Sequence, residues 1–176
     1  TCDITGYCGD IEDYHSFAEL YTRWIQFGAF NPLSRIHHEG DNPVEPWLFG
    51  PEAEKNAKEA IELKYRLLPY IYTYAREAHD TGLPIMRPLF LEYPMDMETF
   101  STDGQFLFGQ ELLVAPVVKK GARTKNVYLP EGTWIDYFSG EKYEGNRILS
   151  NFDTPVWKLP VFVKNGAIIP LSLIHI

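Results

Sequence analysis

Three side chains near the start of the sequence have types and spacings that could do chemistry. Asp3 lies in the apolar opening stretch "TCDITGY", and Arg35 and His37 lie in "SRIHH". Alternate side chains of a strand share a face, so Arg35 and His37 point one way and Ser34 and Ile36 the other. A guanidinium beside an imidazole is a good clamp for hydroxyl or carboxylate groups. A salt bridge from Arg35 to a neighbouring acid, with His37 merely hydrogen-bonded, explains the same residues equally well.

The elements that must position these side chains are strands that alternate with helices in the first half of the chain. Both stretches come where a strand is predicted to end, and in such folds binding sites form at the carboxyl edge of the sheet. Two stretches qualify for such an edge, the one from Asp3 to Tyr7 and "SRIHH". His15, His38 and Glu39 are interpreted as solvated loop or helix-entry residues.

The first predicted helix follows the opening stretch. Ser16 and Glu19 have the spacing of a capping box, in which each side chain binds a free backbone N–H group. Gly28 is predicted to end this helix. The residues expected to form its buried face are Phe17, Leu20, Tyr21 and Trp24.

A longer helical pattern begins near Pro51, a residue favoured in the first turn. Pro69 should kink this helix, because proline lacks an N–H group and clashes with the preceding turn. Gly82 is predicted to end it.

The pattern changes near residue 100 from helical to strand-like. Short apolar runs alternate with turn sequences, and Asn165-Gly166 is a hairpin signal. The fold class predicted from the residues is therefore α/β plus all-β. Residues 1–100 are assigned to βα units of a parallel sheet or barrel, and residues 101–170 to an antiparallel β-sandwich.

Composition excludes some classes of protein. The formal net charge of −8 argues against binding to nucleic acid, which calls for a basic surface. No apolar run approaches the roughly 20 residues of a membrane span. The two cysteines are too few for a zinc site, and we predict neither a metal nor a cofactor. The sequence leaves the compartment and the oligomeric state open.

Six segments resemble, in order, motifs of glycoside hydrolase family 31, the α-glucosidase and α-xylosidase family. They are "DITGY", "ELYTRWIQFGAFNPLSRIHHEG", "EPWLFG", "YRLLPYIYTYAREAHDTGLPIMRPLFLEYP", "GQFLFGQELLVAPVV" and "VYLPEGTWIDYFSG". The resemblance runs from Asp3 to about Pro170. It implies the last part of a (β/α)₈ TIM barrel, followed by a proximal C-terminal β-sandwich domain. It also implies an oligosaccharide or glycoside as the substrate.

The resemblance assigns roles to the candidate residues. Family members are retaining enzymes with a carboxylate nucleophile and a carboxylic general acid/base. The motifs that carry these two groups do not occur here, so we expect both upstream of the first residue and expect the chain alone to be inactive. Asp3 matches a third family aspartate, in a "D-I-G-G-F" motif, which orients a cation or contacts the sugar. Thr5 and Tyr7 depart from that motif. His37 matches a histidine that binds sugar hydroxyls in the −1 subsite, and Arg35 matches its partner arginine.

Two further expectations concern the ends of the chain and an alternative function. The last six residues, "LSLIHI" (171–176), resemble a translated sequencing-adaptor end, so we expect them to be non-native and the chain to be a fragment. The alternative function is a non-catalytic carbohydrate-binding or structural β-sandwich module with a stray helical arm. The choice among glucoside, xyloside, sulfoquinovoside, transferase and lyase variants stays open.

Overall fold

The structure is a computed structural model, and it describes residues 2–6, 11–39 and 43–174. The helices are α1 (Tyr14–Ala29), α2 (Pro51–Arg66), α3 (Leu68–Thr81), α4 (Leu89–Glu92) and α5 (Glu98–Ser101), with a one-turn 3₁₀ helix at Pro46–Phe49. The strands are β1 (Cys2–Ile4), β2 (Ser34–Ile36), β3 (Met86–Arg87), β4 (Phe106–Phe108), β5 (Leu112–Val114), β6 (Thr124–Leu129), β7 (Thr133–Asp136), β8 (Lys142–Glu144), β9 (Arg147–Asp153) and β10 (Val161–Lys164).

The two halves of the chain have different strand arrangements, as predicted. β1 and β2 are parallel neighbours, and α1 connects them in the manner of a barrel unit. The later strands form a six-stranded antiparallel sheet in the order β3-β4-β5-β10-β7-β8 and an antiparallel pair of β6 and β9. The strand-like runs of the sequence are therefore confirmed as an antiparallel sandwich. Because β3 already joins the large sheet, the domain boundary near residue 100 stays a prediction.

The central strands of the large sheet are buried on both faces. In β5, Leu112 and Val114 pack with the helices, whereas Leu113 packs toward the β6–β9 pair. The strands β4 and β10 alternate in the same way, with Leu107 and Phe162 on the side of the strand pair. Burial on both faces explains why these strands are continuously apolar rather than alternating with polar residues. The sheet thus joins the helical layer to the rest of the sandwich.

Helix α1 differs from its prediction at the start. Asp13 is the N-cap, and its side chain accepts a hydrogen bond from the N–H of His15 at 3.0 Å. The capping box at Ser16 is wrong, because Glu19 instead accepts hydrogen bonds from the Arg123 side chain and the Gly121 N–H across the interface with the sandwich.

The predicted buried face of α1 is also only partly correct. Tyr21 is 2% exposed, but Phe17 and Leu20 are 40% and 49% exposed. Buried positions continue instead through Arg23, Ile25 and Gln26. The most buried face of α1 is therefore rotated relative to the apolar stripe, and part of that face is polar.

The helices break near the proline and the glycine that the sequence predicts. Helices α2 and α3 are separated at Leu67, two residues before Pro69, and Gly82 ends α3 with a left-handed φ of 80°. The hairpin expected at Asn165-Gly166 is not formed: the residues make a turn after β10, but residues 167–174 contain no strand. At the far end, the N–H of Ser172 donates to the carbonyl of Arg66 at 2.8 Å. Whether residues 171–176 are native stays a prediction.

Within the described ranges, no helix is both long and apolar enough to cross a membrane.

Candidate functional site

Asp3 and Arg35 lie side by side at the edge where β1 and β2 end. The parallel register pairs Asp3 with Arg35 and Ile4 with Ile36. The Arg35 Nε–H donates to Asp3 Oδ1 at 2.8 Å. Parallel strands end at the same edge of a sheet, so two residues 32 positions apart in sequence become direct neighbours. The salt bridge that the sequence left open is therefore present.

The Asp3 carboxylate is held in its charged form. The hydrogen bond from Arg35 is the largest cause and lowers the pKa of Asp3; desolvation opposes it, and the charges of Arg35 and His37 add smaller lowering effects. The Arg35 side chain is 62% exposed and that of Asp3 is 32% exposed. The pair is therefore open to solvent, and Asp3 can fix the direction of the guanidinium without burying it.

Two histidines follow β2. His37 lies two residues after Arg35 and is half-buried. His38 is half-buried too: its Nδ1 lies 3.5 Å from the carbonyl oxygen of Gly6, and its Nε2 is buried without a partner in the described part of the chain. The interpretation of His38 as a solvated residue is wrong, whereas Glu39 and His15 are exposed as expected. Sequence periodicity could not find this contact because it joins two loops.

The turn that leaves β1 is strained at Thr5. Its φ is +79°, in the left-handed region that β-branched residues avoid, and Gly6 follows with φ +91°. This is the position where the resembling motif has glycine, so threonine carries a backbone cost of about 1–2 kcal/mol. Thr5 Oγ1 is also buried without a partner among the described residues. Tyr7, the remaining predicted site residue, lies outside the described residues.

The strand pair rests on α1 through Gly28. A Cβ atom at Gly28 would lie 2.8 Å from Cδ1 of Ile4, so only glycine allows this close approach. The Gly28 carbonyl accepts hydrogen bonds from Ser34 Oγ at 2.9 Å and from Lys64 Nζ at 3.3 Å. Burial lowers the pKa of Lys64 to about 8. Sequence reasoning missed Ser34 and Lys64, because their role is set by contacts with the end of α1.

A cavity elsewhere in the described structure does not coincide with this edge. A mostly apolar cavity of about 680 Å³ lies between α1 and the sandwich, and none of its lining residues is Asp3, Arg35 or His37. In the part of the chain that the structure describes, no group of three or more His, Cys, Asp or Glu side chains could hold a metal ion.

The chain matches two family models in succession. Residues 1–74 match the TIM-barrel domain of glycosyl hydrolase family 31, and residues 82–169 match the C-terminal domain of the same family. The chain therefore belongs to glycoside hydrolase family 31. The barrel match over the first half favours this assignment over a β module with a stray helical arm.

Solved structures of family members superpose closely on the chain. A GH31 dextranase from Flavobacterium johnsoniae, complexed with isomaltotriose or glucose, is 66% identical with a TM-score of 0.94, covering 97% of this chain and 21% of that one. A GH31 α-xylosidase from a soil metagenome, complexed with xylose, is 35% identical with a TM-score of 0.89, covering 98% of this chain and 29% of that one. The barrel remnant and the sandwich are thus shared with this family.

Curated relatives are much longer than the chain. A 1,6-α-glucosyltransferase of Sporosarcina globispora is 43% identical over 89% of this chain, which spans 12% of that protein. α-Glucosidase 2 of Bacillus thermoamyloliquefaciens is 42% identical over 90% of this chain, which spans 20% of that protein.

Proposed function

We propose that the chain is part of a retaining α-glycosidase and that its substrate is an α-1,6-linked glucan. The observation that carries the proposal is the Asp3–Arg35 pair at the carboxyl edge of two parallel strands, with His37 beside it. The 66% identity to a dextranase supports the glucan over a xyloside.

The residues of this edge would bind the sugar rather than attack it. His37, Arg35 and Asp3, together with Tyr7, would line the −1 subsite. Asp3 keeps the guanidinium in place through the 2.8 Å bond to Nε, and His37 donates to a ring hydroxyl. Such contacts strengthen as the sugar flattens toward the oxocarbenium-like transition state, so they raise the rate and not only the affinity.

The nucleophile and the general acid/base would be carboxylates that precede the first residue of this sequence. The chain alone should then release no nitrophenol from nitrophenyl α-glucoside above a blank. Hydrolysis by the purified chain would contradict this placement.

The subsite is tested by substitution in the enzyme that contains this sequence. His37→Ala should lower kcat/KM for isomaltotriose by about 10²–10³, since one lost transition-state contact costs roughly 2–4 kcal/mol. His79→Ala, which removes an exposed histidine from α3, is the matched control and should change kcat/KM by less than about twofold. A loss below about threefold for His37→Ala would refute the role.

Asp3 needs a separate test, because a carboxylate at a sugar site could also be a nucleophile. Asp3→Gly should lose activity through the misplaced Arg35, and added azide should not restore it. Rescue by azide, with a glycosyl azide as product, would make Asp3 a member of the catalytic pair.

A further inference from the structure

Two exposed aromatic rings lie together on the sandwich, beside the helices. Phe138 follows β7 and Trp157 precedes β10, and they are 42% and 48% exposed. Their ring centroids are 5.8 Å apart with the planes at 84°, which is an edge-to-face contact that fixes the orientation of the two rings. Both rings line a small cavity of about 60 Å³ between the sandwich and helices α1 and α2.

Two amide side chains, each with one unpaired polar atom, belong to the same cavity. Gln26 and Asn56 are each 5% exposed, and both line the cavity. The Nε2–H of Gln26 donates to the carbonyl of Val156 at 2.8 Å, but its Oε1 has no partner among the described residues. The Nδ2 of Asn56 likewise has none there. Buried polar atoms are nearly always paired, so an unpaired acceptor and an unpaired donor on two residues that line one cavity indicate that a polar group binds beside them.

This cavity is distinct from the edge that holds Asp3. Gly28 of α1 faces Ile4 of β1. Gln26 precedes Gly28 by two positions, which is about 200° around the helix axis. The side chain of Gln26 is therefore on the side of α1 that faces away from the strand pair and toward the sandwich, where it binds Val156.

The chemistry of the cavity selects a neutral, hydroxylated ligand. Among the described residues, its lining contains no lysine or arginine and Glu59 is the one charged residue, so an anion is disfavoured. A purely apolar ligand would leave the amides unpaired. An aromatic face beside a hydroxyl-binding amide pair and a carboxylate suits a sugar ring, whose C–H groups stack while its hydroxyl groups hydrogen-bond.

We infer that Trp157, Phe138, Gln26, Asn56 and Glu59 form a second saccharide-binding site, separate from the −1 subsite. The volume of about 60 Å³ is about twice the share of one water molecule in the liquid. One hydroxymethyl or hydroxyl group therefore enters the cavity, and the pyranose ring remains outside against Trp157. The inference rests on the proposed function only for the class of ligand, an α-glucan chain.

The indole N–H signals of the ¹⁵N-labelled chain provide the test, with isomaltotriose as the probe. The chain has four tryptophans. Trp157 should shift saturably, with a dissociation constant of about 1 mM. Trp134, which is buried and donates to the Pro130 carbonyl, should not move. The ring of Trp24 lies near Gly6 and also lines the larger cavity, so a Trp24 shift reports binding away from Trp157.

Matched variants separate the site from other causes. Trp157→Ala should weaken the binding at least about tenfold, measured by calorimetry with isomaltotriose. Trp47→Ala removes another exposed tryptophan, from the 3₁₀ helix, and should leave the affinity unchanged. Asn56→Leu keeps the aromatic rings and removes the buried donor, so it should weaken binding even if Trp157→Ala fails to fold.

Several results would overturn the inference. One is the absence of a saturable shift of the Trp157 signal with up to about 20 mM isomaltotriose. The others are an equal shift of that signal with glycerol and an unchanged affinity of Asn56→Leu for isomaltotriose. An unshifted Trp157 signal would mean that water alone binds the amide atoms of Gln26 and Asn56. Because no hydrolysis is measured, such a failure leaves the kinetic result for His37→Ala untouched, and the two proposals fail independently.

Discussion

Arg23 should contribute strongly to the stability of the chain, because it binds the helical layer to the sandwich. The residue is 7% exposed, and its guanidinium donates to four backbone carbonyls at 2.8–3.3 Å, those of Ala122, Thr154, Pro155 and Lys158. Burial lowers the pKa of Arg23 from its ordinary value, but a guanidinium remains protonated in proteins. One side chain of α1 thus binds two separate loops of the sandwich.

The cost of removing this guanidinium can be estimated from its bonds. Each hydrogen bond has a net value of about 1 kcal/mol, and the carbonyls left behind are partly buried. A methionine side chain fills much of the space of Arg23 and removes the cost of burying the guanidinium charge, so part of the lost hydrogen-bond energy is offset. We expect Arg23→Met to lower the free energy of unfolding by about 3 kcal/mol. Arg23→Lys should cost less, because an ammonium can still donate to some of the carbonyls.

Urea unfolding of the chain, followed by tryptophan fluorescence, measures this cost. Arg123→Met is the matched control: the same change at the same interface removes a half-exposed ion pair with Glu19, worth less than about 1 kcal/mol. Equal midpoints for the Arg23→Met and Arg123→Met variants would refute the reasoning. So would an Arg23→Met variant within about 1 kcal/mol of the unsubstituted chain.

Two further predictions concern the support of the strand pair. Gly28→Ala places a Cβ atom 2.8 Å from Ile4 Cδ1 and should lower the free energy of unfolding in urea by about 1–3 kcal/mol. The double variant with Ile4→Ala should lose less stability than the sum of the two single variants, because the shortened side chain relieves the clash. Strictly additive losses would contradict the clash. For Lys64, burial lowers the folded pKa to about 8 from the ordinary 10.5. Between these values the unfolded chain binds more protons, so stability should rise with pH, by about 1 kcal/mol after solvent screening, relative to Lys64→Met. Below about pH 8 Lys64 is protonated in both the folded and the unfolded chain, so the stability difference between the unsubstituted chain and Lys64→Met should be constant. If the two stability curves stay parallel up to about pH 9.5, before tyrosines ionise, the effect is excluded.

The sequence alone determined the features that depend on local geometry. Pro69 predicts the break between α2 and α3 because proline lacks the donor that an uninterrupted helix needs, and Gly82 predicts the end of α3 because it accepts a positive φ. The βα pattern predicts that Asp3 and Arg35 both lie at strand ends on the carboxyl edge of the sheet. Their direct pairing follows from the parallel register of β1 and β2 in the structure. The family motifs add the placement of the sandwich after the barrel remnant.

Tertiary structure alone decided the features that depend on contacts between distant segments. Glu19 has the spacing of a capping residue, but it binds Arg123, 104 positions away, and the helix is capped by Asp13 instead. Arg23 and Gln26 belong by sequence to the polar side of α1, yet both are buried, because sandwich carbonyls about 100 or more positions away need donors. Periodicity reports which residues share a face of an element. It does not report which face another element will cover, and burial of a polar side chain is stabilising only where partners from elsewhere in the chain meet it.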